Sequence, residues 1–189
     1  MHAFESLVAQ FGLDGVSMKD LAREAGVSVG AIYLEFPNKD ALILMVEEKW
    51  RSHVAERNAA IVAGDQPPED KLRGILVEHA AAFSQIVRED RAAFELLSGA
   101  QRLRYLGRTT ADTRKKIFEL MAGSVAGVLQ EGCESEAFAV DDPEQTSRLL
   151  VQAVAEYFSA PEVAKRPHDE VVREVEDMFA LLMKAIRAR

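Results

Sequence analysis

The stretch "SMKDLAREAGVSVGAIYLEF", residues 17–36, decides the fold. Ser17 is placed to cap a helix, with Asp20 three residues on as a weak capping box. Gly26 breaks that helix, because a positive φ costs little where there is no Cβ. Ser28 caps the next helix and Pro37 ends it. Two short helices joined this way must nearly touch. Ala22 is small at the closest approach, Gly26 takes the turn four residues later, and Ile32 anchors the second helix, with Leu21 and Val27 completing the small core. Helix pairs of this kind lay the second helix in the major groove of DNA.

Working outward, the chain reads as helices throughout, and no stretch alternates apolar and polar residues long enough to suggest a strand. A first helix carries Phe4, Leu7, Val8 and Phe11 and stops at Gly12. Asn38 caps a fourth helix that runs to about Ala63, and "GDQPPED" at 64–70 is the clearest loop. A fifth helix shows Leu72, Ile75, Leu76, His79, Phe83, Ile86 and Val87 on one face. A sixth spans Arg91 to about Leu106, and "GRTTAD" breaks it. The seventh holds Ile117, Leu120, Met121, Ser124, Val125 and Val128. Asp142 caps the eighth, with Pro143 at its first position. That helix shows Leu149, Leu150, Ala153, Val154, Tyr157 and Phe158 and stops before Pro161. The last begins near His168 with the stripe Val171, Val172, Val175, Met178, Phe179, Leu182 and Ile186. The expectation is an all-α chain of about nine helices. A three-helix head occupies residues 1–46 and a helical body residues 47–189.

Composition narrows the function. The chain has 189 residues, 48% of them hydrophobic and 29% charged, which suits a globular protein. No apolar run approaches the roughly 18 residues that cross a bilayer, so no membrane partner is expected. The N-terminus lacks the basic start of a secretory signal. The single cysteine, Cys133, rules out an internal disulfide framework and fits a reducing cytoplasm. A net charge of −8 argues against non-specific nucleic-acid binding by the whole surface. The head itself is acidic: Lys19, Arg23 and Lys39 stand against Glu5, Asp14, Asp20, Glu24, Glu35 and Asp40. Its affinity for DNA must therefore come from close backbone approach and a few phosphate contacts.

The ungapped run from Ser17 to Leu42, with "LVAQFG" ahead of it, closely resembles the TetR family of bacterial transcriptional regulators. Its G-V-S-x-G-x-I-Y-x-x-F-x-N-K-x-x-L pattern is far longer than a generic helix-turn-helix. The body matches only in the number and length of its helices. The resemblance implies an all-α homodimer that binds double-stranded operator DNA through its heads and holds a small-molecule effector in its body. Ligand binding would respace the heads and release the operator, as in a repressor. It further implies that Tyr33 and Lys39 contact phosphate, as does Ser17 through its hydroxyl and backbone N–H. Ser28, Val29, Gly30 and Ala31 would meet the bases or the nearby backbone, with Leu34 at the groove's edge. Val29 suits a thymine methyl but cannot read guanine as arginine does. The family often has lysine at position 29 and histidine or tyrosine at 35; Val29 and Glu35 depart from it, and a glutamate near phosphates repels unless it accepts from a cytosine amine or points to solvent. Family members also carry several more residues, often basic, before the first helix. Met1 falls where the middle of that helix would be, so either the chain is truncated, or its start is assigned late, or DNA binding is weak. The alternative is a dimeric small-molecule sensor whose head binds DNA weakly or not at all.

In the body, a pocket is expected between the fifth, seventh and eighth helices. Its candidates are His79, Phe83, Phe94, Leu97, Phe118, Met121, Ser124, Val125 and Tyr157. Phenylalanine and methionine make an adaptable wall, and His79, Ser124 and Tyr157 are polar handles. Residue by residue plain core is the stronger reading of a phenylalanine or methionine at helical spacing, and a histidine on an apolar face is more often a satisfied core group than a ligand contact. The resemblance implies a dimer interface on the last two helices, through Leu150, Val154, Tyr157, Phe158, Val175, Met178, Phe179, Leu182 and Ile186, which would form a four-helix bundle across a two-fold axis. The same stripes would also suit packing within one chain. "QRLRYLGRTTADTRKK" concentrates Arg102, Arg104, Arg108, Arg114, Lys115 and Lys116. A solvated loop with its flanking turns is the default reading; the alternatives are that it attracts an anionic ligand, such as an acyl thioester or a carboxylate, or leans toward DNA. Trp50 falls just past the head, either at its junction with the body or in ordinary core.

Chemistry of other kinds finds no support. His2, His53, His79 and His168 are scattered, and no Cys/His spacing suits a metal. No nucleophile signature or phosphate loop is present, so neither an enzyme nor a cofactor is expected.

Overall fold

A computed structural model describes residues 2–107 and 111–188 of the chain. Arg108 lies outside them, as do the side chains of Arg104, Arg114 and Lys115, so most of the expected basic stretch falls outside the described residues. Helices α1 (His2–Phe11), α2 (Met18–Glu24) and α3 (Val29–Glu35) form the head. The capping box on α2 is complete: the Asp20 N–H donates to Ser17 Oγ at 3.2 Å, and the Ser17 N–H donates to the Asp20 carboxylate at 3.1 Å. At its other end the Val27 N–H reaches the Ala22 carbonyl at 3.0 Å and the Gly26 N–H reaches Arg23 at 3.3 Å. This Schellman closure needs Gly26 at φ +67°. Phe4, Leu7 and Val8 of α1 are buried as their spacing predicts, whereas Phe11 is exposed, because the chain turns at Gly12 (φ +74°) and leaves no wall over it. Val27 is also exposed rather than core, and Ile32 is only partly buried.

Helix α4 (Lys39–Ala63) follows Asn38, whose side chain accepts from the Ala41 N–H at 3.0 Å. Its 25 residues extend about 37 Å at ~1.5 Å per residue, reaching from the head deep into the body. The expected fifth helix is three pieces in one rod: α5 (Pro68–Arg73), a π-helical turn (Gly74–Glu78) and α6 (His79–Glu89). Gly74 sits against Ile61 of α4, where an added Cβ would come within 3.3 Å of that side chain. Helices α7 (Arg91–Tyr105) and α8 (Ala111–Glu134) follow.

The expected eighth helix does not run through. Helix α9 (Pro143–Ala153) ends early, a 3₁₀ turn covers Ala155–Phe158, and a single turn, α10 (Ala160–Val163), follows. Pro161 has no N–H to offer the Tyr157 carbonyl, and its ring would crowd that carbonyl in a continuous helix. Tyr157 and Phe158 therefore leave the face shared by Leu150 and Val154. Helix α11 (His168–Ile186) closes the body against α6 and the π turn.

Two clusters of buried side chains result. The body's runs from Leu72 and Ile75 through Val125, Val128 and Leu129 to Val154, Val175 and Met183. The head's combines Phe4, Leu7, Val8, Leu21 and Ile43 with Ala92, Leu96, Ala100 and Leu103 of α7. The head thus rests on α7 as well as on α4. Among the described residues no helix is long and apolar enough to cross a membrane.

Candidate DNA-reading face and ligand cavity

Helix α3 buries none of its residues. It is held by Ile32 and by Phe36 just beyond its end, both partly buried against the head's core. Ser28 caps it by accepting from the Ala31 N–H at 3.1 Å, which leaves its hydroxyl proton to donate outward. Val29, Gly30, Ala31, Tyr33 and Leu34 all face solvent, and Leu34 is 90% exposed. A Cβ added to Gly30 would meet nothing closer than Ser28 Oγ at 3.9 Å, so the front of the helix is open to a second surface. Val29, Tyr33 and Leu34 are the large apolar and aromatic side chains it exposes. What they offer is shape, an apolar surface and one phenol.

Lys39 and Ser17, both expected at phosphate, also make contacts within the head. The Lys39 ammonium donates to the carbonyls of Leu13 at 2.8 Å and Val16 at 3.1 Å, tying α4 to the loop between α1 and α2. The Ser17 hydroxyl donates to the Asp20 carboxylate at 2.5 Å. That carboxylate, with its pKa lowered by the Ser17 hydroxyl and N–H and then by Arg23, puts a negative charge at the start of α2. Arg23 is itself paired with Asp20 at 2.8 Å.

In the body, a cavity of about 130 Å³ opens between α4, α6, α7, α8 and the α9–α10 break. Of the candidate residues, His79, Phe83, Leu97 and Met121 line it. The other candidates are placed differently. Phe94 and Phe118 pack beside the body's core, Val125 is fully inside it, and Ser124 donates to the Leu120 carbonyl of its own helix at 3.1 Å. Tyr157 lies beneath the Arg166 guanidinium, 5.6 Å from its ring centre. The lining is completed by Glu47, Trp50, Arg51 and Val54 of α4, Gln101 of α7, Ile117 and Leu120 of α8, and Phe158 and Ala160. The α4 residues were missed because their face is mixed rather than apolar. Their signal was the spacing, since positions 47, 50, 51 and 54 share one side of a helix. Phe158, expected at a dimer interface, is an aromatic wall instead, tilted against Phe83 at 6.1 Å. Trp50 meets Phe83 edge-on, also at 6.1 Å.

His79 is the singular group of this cavity. It is only 7% exposed, and its Nδ1 is buried without a hydrogen bond. Burial, helped by the positive charge of Arg57, pushes its pKa down to about 4. The Ile75 carbonyl opposes this weakly, without reaching hydrogen-bonding geometry. One turn past Val54, Asn58 is fully buried with neither amide atom hydrogen-bonded.

The expected dimer residues Leu150, Val154, Val175, Phe179 and Ile186 are buried in the chain's own core. Their stripes are satisfied internally, so they back a surface rather than form one. Met178 and Leu182 are partly buried beside them. The apolar groups that α9 and α11 present outward are Leu149 and Leu181, 63% and 61% exposed.

Residues 1–46 match the family model of bacterial regulatory proteins of the tetR family, and residues 68–183 match that of the tetracyclin repressor-like C-terminal domain. The chain is 29% identical over 83 residues to the HTH-type transcriptional regulator PksA of Bacillus subtilis, covering 44% of this chain and 40% of that protein. It spans between 34% and 63% of the length of the curated relatives it matches. A crystal structure of a TetR-family transcriptional regulator from Pectobacterium atrosepticum superposes with a TM-score of 0.75 at 17% identity, covering 100% of this chain and 92% of that one. The regulator FadR from Bacillus subtilis, in complex with stearoyl-CoA, gives 0.67 at 19% identity, covering 96% and 95%. At these identities the two structures speak for the fold alone.

Proposed function

Because the chain belongs to the tetR family of bacterial regulatory proteins, we propose that it is a cytoplasmic, homodimeric repressor. It binds double-stranded operator DNA through residues 1–46 and leaves that DNA when a small molecule enters the cavity of the remaining body. One observation carries this reading: α4 is a single helix whose start is tied to the head by Lys39 and whose middle walls the cavity with Glu47, Trp50, Arg51 and Val54. A ligand that moves α4 moves the head with it. Helix α7 gives a second route, since Leu97 and Gln101 line the cavity while the Leu13 side chain and backbone lodge against Gly99 and Glu95. Binding that favours one arrangement of these helices shifts the equilibrium between DNA-competent and released states.

Ser28, Val29, Gly30, Ala31, Tyr33 and Leu34 are the residues proposed to meet DNA. Ser17 and Lys39 support the head from within. Two heads related by a two-fold axis would read half-sites about one helical turn apart, ~34–36 Å. The mated faces would be the outer sides of α9 and α11 around Leu149 and Leu181.

DNase I protection of DNA from upstream of the chain's own gene tests this. The expected footprint is two protected patches one turn apart that disappear when effector is added. No protection, or protection indifferent to sequence, favours the second reading, a dimeric sensor with a weak head. The specific observation behind that alternative is the acidic head, with Arg23 and Lys39 already engaged inside it.

A further inference from the structure

The cavity's polar groups differ in what they leave unused. Gln101 is satisfied across the α7–α10 gap, where its amide donates to Ser159 Oγ at 2.9 Å. The Arg51 guanidinium is paired with Glu48 on its own helix. Arg57, the cation near His79, is paired with Glu78 at 3.4 Å. Glu47, buried in the lining, adds a carboxylate. His79 alone is more than nine-tenths buried, lines the cavity and keeps a ring nitrogen without a hydrogen bond. Buried polar atoms in folded proteins are nearly always paired, and those that are not are explained by a ligand or a function. A π turn immediately precedes His79, a device common at functional sites because the extra residue rotates the side chains that follow.

We propose that the cavity takes an uncharged, largely apolar small molecule of about ring size, presenting one hydroxyl, carbonyl or amide to His79. Trp50, Phe83 and Phe158 supply an aromatic wall for the ring, and Leu97, Ile117, Leu120 and Met121 complete an apolar cup. The volume fits: an apolar cavity of about 150 Å³ is large enough for benzene. An anionic head would meet Glu47 while the nearby guanidiniums are held by their own glutamates, and a neutral imidazole offers no ion pair. Burial and Arg57 keep that imidazole neutral at physiological pH. The ligand class rests on this cavity being the effector site, and the test below separates the two.

Trp50 is the chain's single tryptophan and lines the cavity, so its emission reports binding directly. The full chain would be titrated at pH 7.5 with four probes: cyclohexylmethanol, methylcyclohexane, cyclohexanecarboxylate and lauroyl-CoA. The alcohol is expected to bind saturably, at least tenfold tighter than the carboxylate, and roughly fivefold tighter than the hydrocarbon through one hydrogen bond. The His79→Phe substitution should erase the advantage of alcohol over hydrocarbon, and His79→Gln, which keeps a hydrogen-bonding group, should retain it. Tighter binding of the carboxylate or of lauroyl-CoA would overturn the proposal. So would an alcohol advantage that survives in His79→Phe, or no saturable change with any probe. Operator release is read separately by footprinting. Selective alcohol binding without release would uphold the ligand class and sink the effector reading.

Discussion

His79 carries a charge state that its surroundings impose. In the folded chain the imidazole stays neutral down to about pH 4, while an unfolded histidine titrates near 6.5. Between those values the unfolded chain binds more protons, so stability must fall as pH falls. The shift corresponds to about 3 kcal/mol lost across that window. Urea melts of the natural chain and of His79→Gln between pH 7 and pH 4 should show a shallower decline in the variant; parallel declines would mean the imidazole is not held neutral. Lys39 has a role within the head that its motif does not show. At the start of α4 it resembles a phosphate ligand, but whether two nearby carbonyls will claim an ammonium depends on a loop 23 to 26 residues away. Lys39→Ala should therefore lower the melting temperature and the DNA affinity together while leaving the salt dependence of binding unchanged. A lost phosphate contact would instead flatten that dependence by about one unit of slope.

At the scale of elements, the helix-turn-helix was legible because its demands are local. A cap at Ser17, a glycine at position 26 and a cap at Ser28 act over a few residues, and each is in place in the structure. The π turn at Gly74–Glu78 was not legible, since a continuous apolar run reads the same with or without an inserted residue. The break after Val154 was half legible, for Pro161 marks the end of a helix without showing how early the helix stops. The cavity was found where its wall is apolar, at Phe83, Leu97 and Met121, and missed where α4 contributes a glutamate, an arginine and a tryptophan. The seat of the head on α7 is likewise a tertiary fact. A Cβ at Gly99 would lie 2.5 Å from the Leu13 side chain. Gly99→Ala should cost about 1–3 kcal/mol through overpacking and weaken the coupling between cavity and head. Thermal melts and effector titrations of the DNA complex would check both; an unchanged melting temperature would show that Leu13 moves aside freely.

For the whole molecule, family membership settles the architecture, and the proposed dimer is argued from what the surface leaves exposed. The stripes expected to pair two copies are spent on the chain's own core, which leaves Leu149 and Leu181 as the apolar outward groups of α9 and α11. Replacing both with lysine should yield monomers by light scattering with helical content preserved, and DNA affinity should fall with the loss of paired heads. Dimers that persist would place the two-fold axis elsewhere. The electrostatic question of the head is also one for the whole molecule. An acidic protein whose reading helix carries Val29, Tyr33 and Leu34 rather than cations should bind with a shallow salt dependence and little affinity for random DNA.

The most direct test is fluorescence anisotropy of the chain, and of its Ala31→Glu variant, on DNA from upstream of its own gene over a salt series, with a scrambled sequence as control. Specific binding by the natural chain with a shallow salt slope, abolished in Ala31→Glu while the helical signal is unchanged, is the expected result. Equal binding of natural and scrambled DNA, or operator binding that survives a glutamate on the open face of α3, would contradict the reading of this protein as a regulator that works through that helix.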